Sequence, residues 1–180
     1  MNRLNHLFAN KKTPILSIYF TAGYPVLNST LDIAFKLEKA GVDFIEIGFP
    51  FSDPLADGPA IQHSSQRALE NGMSLKVLFE QLKDLRKRVS IPVLLMGYIN
   101  PVLQYGIEAF CDQAAAIGVD GTIIPDLPMD EYESLYQNYF IRNKLSNVFL
   151  VTPQTSPERI YQIDSLSTSF IYLLSSSATT

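Results

Sequence analysis

Cysteine and histidine are scarce in this 180-residue chain, and the scarcity excludes several kinds of chemistry. The one cysteine, Cys111, cannot form an internal disulfide and fits a reducing compartment. Phe110 and the alanines at 114–116 place it on the buried side of a helix rather than at a reactive thiol site. The two histidines, His6 and His63, lie far apart and not at ligand spacing, so neither a metal site nor a nucleophilic triad is expected. No apolar run approaches the roughly 20 residues that span a bilayer. Residues 1–6 lack the apolar centre of a secretory signal, and a cytoplasmic location is expected. An excess of basic charge is missing too: 14 Lys and Arg stand against 18 Asp and Glu, with a pI near 5.1. Neither nucleic acid nor an anionic membrane is therefore expected as a partner. The dense basic run at 83–88 has the spacing of a solvated helix face.

What the chain does contain is apolar and regularly ordered. Hydrophobic residues make up 47% and charged residues 18%, the balance of a globular protein, and 180 residues fit one domain over 1–180. Strands are predicted at 15–20, 43–47, 92–96, 121–124, 147–151 and 170–174. Helical patterns fall at 2–9, 29–40, 61–70, 75–89, 107–117, 131–142 and 157–166. Apolar strands alternating with helices argue for a parallel sheet covered on both faces. Polar, proline-rich segments recur just after the strands, as in a barrel that carries its chemistry on the loops at the C-terminal strand ends. A doubly wound sheet is the alternative, but no Gly-rich phosphate loop follows the first strand. A closed (β/α)8 barrel needs eight strands and typically about 250 residues. Six strands therefore imply a barrel with about six of eight β/α units, the N-terminal part of a longer protein shortened after strand six.

The most informative stretch is 44–62, FIEIGFPFSDPLADGPAIQ. It begins as an apolar strand with one embedded carboxylate, Glu46, which is costly to bury charged unless it has a partner or a task. A loop with three prolines and two aspartates follows, and its Asp57 lies eleven positions after Glu46. Two acids in unlike surroundings are the usual arrangement for dividing acid and base roles.

The thirteen residues of this stretch reading IGFPFSDPLADGP resemble the signature of the tryptophan synthase alpha subunit family. The resemblance extends over roughly 7–180, through YFTAGYP at 19–25, LLMGYINP at 94–101, PDLP at 125–128 and YLLS at 172–175. It implies a (β/α)8 TIM barrel and a carbon–carbon lyase of tryptophan biosynthesis. That lyase splits indole-3-glycerol phosphate by a retro-aldol reaction into indole and glyceraldehyde 3-phosphate. By resemblance, Glu46 is the main acid/base and Asp57 binds the indole N–H. Tyr19, Leu95, Tyr98, Val151 and Tyr172 would line the substrate pocket, and Thr180 matches a mobile-loop threonine that closes over substrate. The family holds the substrate phosphate on loops after strands seven and eight, which this sequence does not reach. The resemblance also implies an alpha2beta2 heterotetramer with the tryptophan synthase beta subunit, which carries pyridoxal phosphate. No cofactor is implied on this chain. Asp53, Asn100 and Pro101 would face the partner. The competing reading is a non-catalytic chain that binds and activates the beta subunit.

Overall fold

The computed structural model describes residues 2–55 and 57–175. Five parallel strands stand side by side in chain order: β1 (Ser17–Thr21), β2 (Phe44–Gly48), β3 (Val93–Met96), β4 (Gly121–Ile123) and β5 (Ser146–Val148). Two more, β6 (Leu150–Val151) and β7 (Tyr172–Leu173), pair parallel with each other. The stretch predicted as one strand over 147–151 is thus read out as β5 and β6, which flank Phe149. Its first half pairs with β4 and its second with β7, and Tyr172 N–H donates to Phe149 O at 2.8 Å. One strand serves two neighbours at different heights, the stagger that curls a parallel sheet toward a barrel.

Strand register sorts the side chains into two layers. Tyr19, Glu46 and Leu94 are in register, as are Phe20, Ile47 and Leu95. Because side chains alternate, the second set faces the opposite side from the first. Ile45, Ile47, Val93 and Leu95 belong to the large outer core against the helices. Phe44, Leu94, Ile123 and Val148 form a smaller inner cluster with Met96, Leu150, Phe170 and Tyr172 around it.

The floor of that inner cluster is an N-terminal helix, Arg3–Asn10, whose Leu4 is fully buried in it. The Asn2 side chain caps this helix by accepting from Asn5 N–H. Its amide also donates to Asp120 O and Ser146 Oγ. Asp120 is buried and takes Arg3 on one oxygen, with Arg86 and the Val93 N–H on the other.

Two helical expectations change. The helix predicted over 75–89 is broken into Leu75–Gln81 and Leu85–Arg88. Short-range bonds from Lys83 to Glu80 and from Leu85 to Leu82 tighten the chain there, and both leucines are buried. Residues after Tyr98, which lie outside the helical patterns of the sequence, form a helix, Ile99–Tyr105. Pro101 lies in its first turn, where a missing N–H costs nothing. Gly106, at a φ of 92°, lets that helix end and the next, Ile107–Ala116, begin at once. Among the described residues, no helix is long and apolar enough to cross a membrane.

Candidate active site

Glu46 lies in the middle of β2 at 3% exposure, so its carboxyl has little water to hold a charge. Burial pushes its pKa up, and a hydrogen bond donated by the Ser17 hydroxyl to Oε1, 2.5 Å long, partly opposes the rise. Ser17 lies two residues before Tyr19 on β1, on the same face of the strand. Tyr19 reaches over Gly48, where a Cβ would fall 2.2 Å from its hydroxyl oxygen. Only glycine leaves room for that ring.

Asp57 approaches the same end of the sheet from the loop after β2. Its N–H donates to Pro54 O at 3.0 Å, and its own carbonyl accepts from the Gln62 amide at 2.7 Å. The loop is thereby tied to the first turns of helix Pro59–Glu70, which begins with a proline already suited to that position. Burial raises the Asp57 pKa, and a hydrogen bond from Tyr98 lowers it again in part. Tyr98 precedes helix Ile99–Tyr105, whose Ile99 N–H donates to Asp126 Oδ1 at 2.9 Å. The aspartate of PDLP thus fastens the start of the helix that holds Tyr98 in place. Phe51 packs on Tyr98 with ring centroids 5.3 Å apart.

Three tyrosines surround the two acids. The Tyr19 hydroxyl is raised first by burial, with Thr21 lowering it and the charges of Asp57, Tyr98 and Glu46 adding to the rise. Tyr172 is raised by burial and then by Glu46. Tyr19 is thus within electrostatic reach of Glu46, Asp57 and Tyr98, and Tyr172 within reach of Glu46. Thr21 also shares a 2.7 Å hydrogen bond with Ser64, which binds the helix after the Asp57 loop to β1.

Two expected lining residues are elsewhere. Leu95 is fully buried in the outer core, in register with Ile47 and on the face away from Glu46. Val151 is likewise in the outer core. Alternation gives the inward places to Met96 and Leu150, which border the inner cluster with Tyr172. Thr180 lies outside the described residues. Ser17, Thr21 and Ser64 were not picked out from the sequence. Ser17 had a signal: it is the one polar residue between Ile15 and Ile18 in an apolar strand.

Asp53 and Asn100 are exposed and Pro101 half-exposed, beside a cavity of about 380 Å³ lined in part by Pro50, Phe51, Pro101 and Tyr105. A second cavity, about 310 Å³, opens under 124–129 and shares Leu150 with the inner cluster, but neither acid lines it. The carboxyl pair and its tyrosines are the candidate site, with both acids shifted up by burial and three tyrosines within their reach. Among the described residues, no group of three His, Cys, Asp or Glu side chains could hold a metal ion.

The family pattern described as tryptophan synthase alpha chain matches residues 6–180. This chain belongs to the tryptophan synthase alpha chain family. The alpha chain of Flavobacterium psychrophilum is 61% identical over all of this chain and 71% of its own length. That of Bacteroides fragilis is 52% identical over all of this chain and 68% of its own. A tryptophan synthase structure from Mycobacterium tuberculosis superimposes with a TM-score of 0.92 at 32% identity, covering 99% of this chain and 70% of that one. The alpha subunit from Legionella pneumophila gives 0.90 at 38% identity, over 97% of this chain and 68% of that one. The family's TIM barrel explains why five strands run parallel in chain order and why the site gathers at their C-terminal ends.

Proposed function

We propose that Glu46 and Asp57 carry the reaction of this tryptophan synthase alpha chain, within a single domain in the cytoplasm. The chain is a carbon–carbon lyase that splits indole-3-glycerol phosphate into indole and glyceraldehyde 3-phosphate, beside a beta subunit that carries the pyridoxal phosphate. The barrier lies in making the indole ring a leaving group. A proton delivered to indole C3 and removal of the side-chain hydroxyl proton meet that need.

The observation that supports the reading best is a pair of unlike carboxyls, Glu46 buried within β2 and Asp57 on the loop that follows it, with Tyr19 in reach of both. Glu46, dry and biased toward its protonated form, is suited to give a proton to C3 and take one from the hydroxyl. Asp57, held by Tyr98 on a stiff loop, is suited to accept the indole N–H and offset positive charge growing on the ring. Tyr19, Tyr98 and Tyr172, with Met96 and Leu150 in place of Leu95 and Val151, would wall the indole end. Asp53, Asn100 and Pro101 form the side that meets the beta subunit, on the same two loops that carry Asp57 and Tyr98.

The test is indole release from indole-3-glycerol phosphate by Glu46→Gln, with and without beta chain. Loss of general acid/base catalysis should cost on the order of 10²-fold or more in kcat. Release within a few-fold of the parent would exclude the role. If the parent itself releases no indole yet speeds the beta reaction, the chain is an activator only.

A further inference from the structure

We propose that Ser17 is a positioning residue for Glu46: its hydroxyl fixes one carboxyl oxygen and so sets the acid's rotamer and its balance between charged and neutral forms. The inference rests on the assignment of Glu46 above and goes beyond it.

Ser17 Oγ to Glu46 Oε1 is 2.5 Å, the one hydrogen bond to this carboxyl drawn among the described residues. The two residues come from adjacent strands whose register is fixed by five consecutive pairs, so the contact is built into the sheet and not into a loop. Ser17 sits two pairs below Tyr19 on the same face, in register with Phe44, so its bond holds Oε1 on the Phe44 side of the carboxyl. Oε2 is then the oxygen left for substrate. A hydroxyl that donates to a carboxylate favours the charged form, while burial favours the neutral one. The two influences oppose each other at Glu46. The other titratable groups facing it are Tyr19 from β1 and Tyr172 from β7, with Asp57 and Tyr98 reaching Tyr19 from their loops. Both tyrosines are raised and stay neutral over the working range, so they supply no charge that could stand in for the serine. Without Ser17, the carboxyl keeps its burial and loses its only named donor.

The experiment compares Ser17→Ala, Ser17→Cys and Ser17→Thr. Alanine removes the donor, cysteine replaces it with a weak one of similar shape, and threonine keeps it. Two readouts are taken: the carbon-13 titration of the Glu46 carboxyl, assigned by its loss in Glu46→Gln, and the pH profile of kcat/KM for indole release in complex with beta chain. Alanine and cysteine should raise the Glu46 titration by on the order of one unit, the size expected for one hydrogen bond to a charged group. The acid limb of kcat/KM should move the same way, and threonine should restore both. A Glu46 titration unmoved by both alanine and cysteine would overturn the proposal. So would a threonine variant displaced as far as alanine, since packing alone would then explain the effect. The titration reads Ser17 even if Glu46 proves dispensable, whereas Glu46→Gln activity reads the catalytic assignment alone.

Discussion

Removing the buried carboxylate of Asp120 should cost the protein far more than removing the arginine that also pairs with it. Asp120 has a side chain 1% exposed, and it meets Arg3 at 3.1 Å and Arg86 at 2.6 Å. Arg86 is 19% exposed at its side chain and Arg3 46%. Asp120→Ala leaves the Arg86 guanidinium half-buried without its counter-charge and leaves the buried Val93 N–H without its acceptor. Breaking a buried pair from one side costs about 3–5 kcal/mol. Arg86 still donates to the carbonyls of Gly118, Val89 and Ile91, so the loss should fall at the low end, near 3 kcal/mol. Arg3→Ala removes a largely solvated partner and should cost under about 1 kcal/mol. Urea unfolding followed by far-ultraviolet circular dichroism, with midpoint and slope both fitted, measures the difference. Equal losses for the two variants, or an Asp120→Ala loss below about 1 kcal/mol, would show that the arginine's carbonyl bonds suffice without the carboxylate.

Other outcomes follow from the same geometry. Because the Glu46 pKa is raised in the folded state, its contribution to stability is fully present below the unfolded value and is lost as pH rises through the folded one. Glu46→Gln should therefore be the more stable protein near neutral pH, by on the order of 1 kcal/mol, and lose that advantage near pH 4. Thermal melts of both across pH decide it, and a constant difference would deny the shift. Gly48→Ala puts a methyl where the Tyr19 hydroxyl sits and should destabilise by about 1–3 kcal/mol while impairing indole release more than stability alone explains. An alanine variant as stable and active as the parent would mean that Tyr19 has another place to go. Asp53→Ala should weaken the acceleration of indole release by added beta chain, and equal acceleration over a titration would reduce Asp53 to a surface charge.

The sequence carried the strand order, the helices between and the two acids, but not which way each strand faces. Leu95 and Val151 show the gap. A motif match places a residue at a strand end, while its direction depends on register, and a shift of one position moves a side chain to the other face. Once Glu46 is known to face inward, pairing with Leu94 makes Met96 an inward residue two positions on, so one fixed point sorts the sheet. Pro101 misled in a different way. Proline marks loops in most settings but is accepted in a first helical turn, and only the Asp126 bond to Ile99 shows that a helix starts there. The break in helix 75–89 was not legible, because Leu78, Leu82 and Leu85 would share one face of an unbroken helix as well. Ser17 was visible only as a polar letter in an apolar word. Its meaning comes from a neighbour 29 positions away.

The floor of the barrel has a consequence for how the chain is born. Asn2 bonds to groups 118 and 144 positions further along, and Leu4 packs among residues from four strands, the last at Val148. On a ribosome, this segment has nowhere to dock until β4 and β5 have followed it out. It waits as a short amphipathic helix of eight residues, too short to hold its shape alone in water. Contacts of such long sequence separation form late, because the loop they close must be ordered first. The segment made well before β4 and β5 is thus set in place only after them.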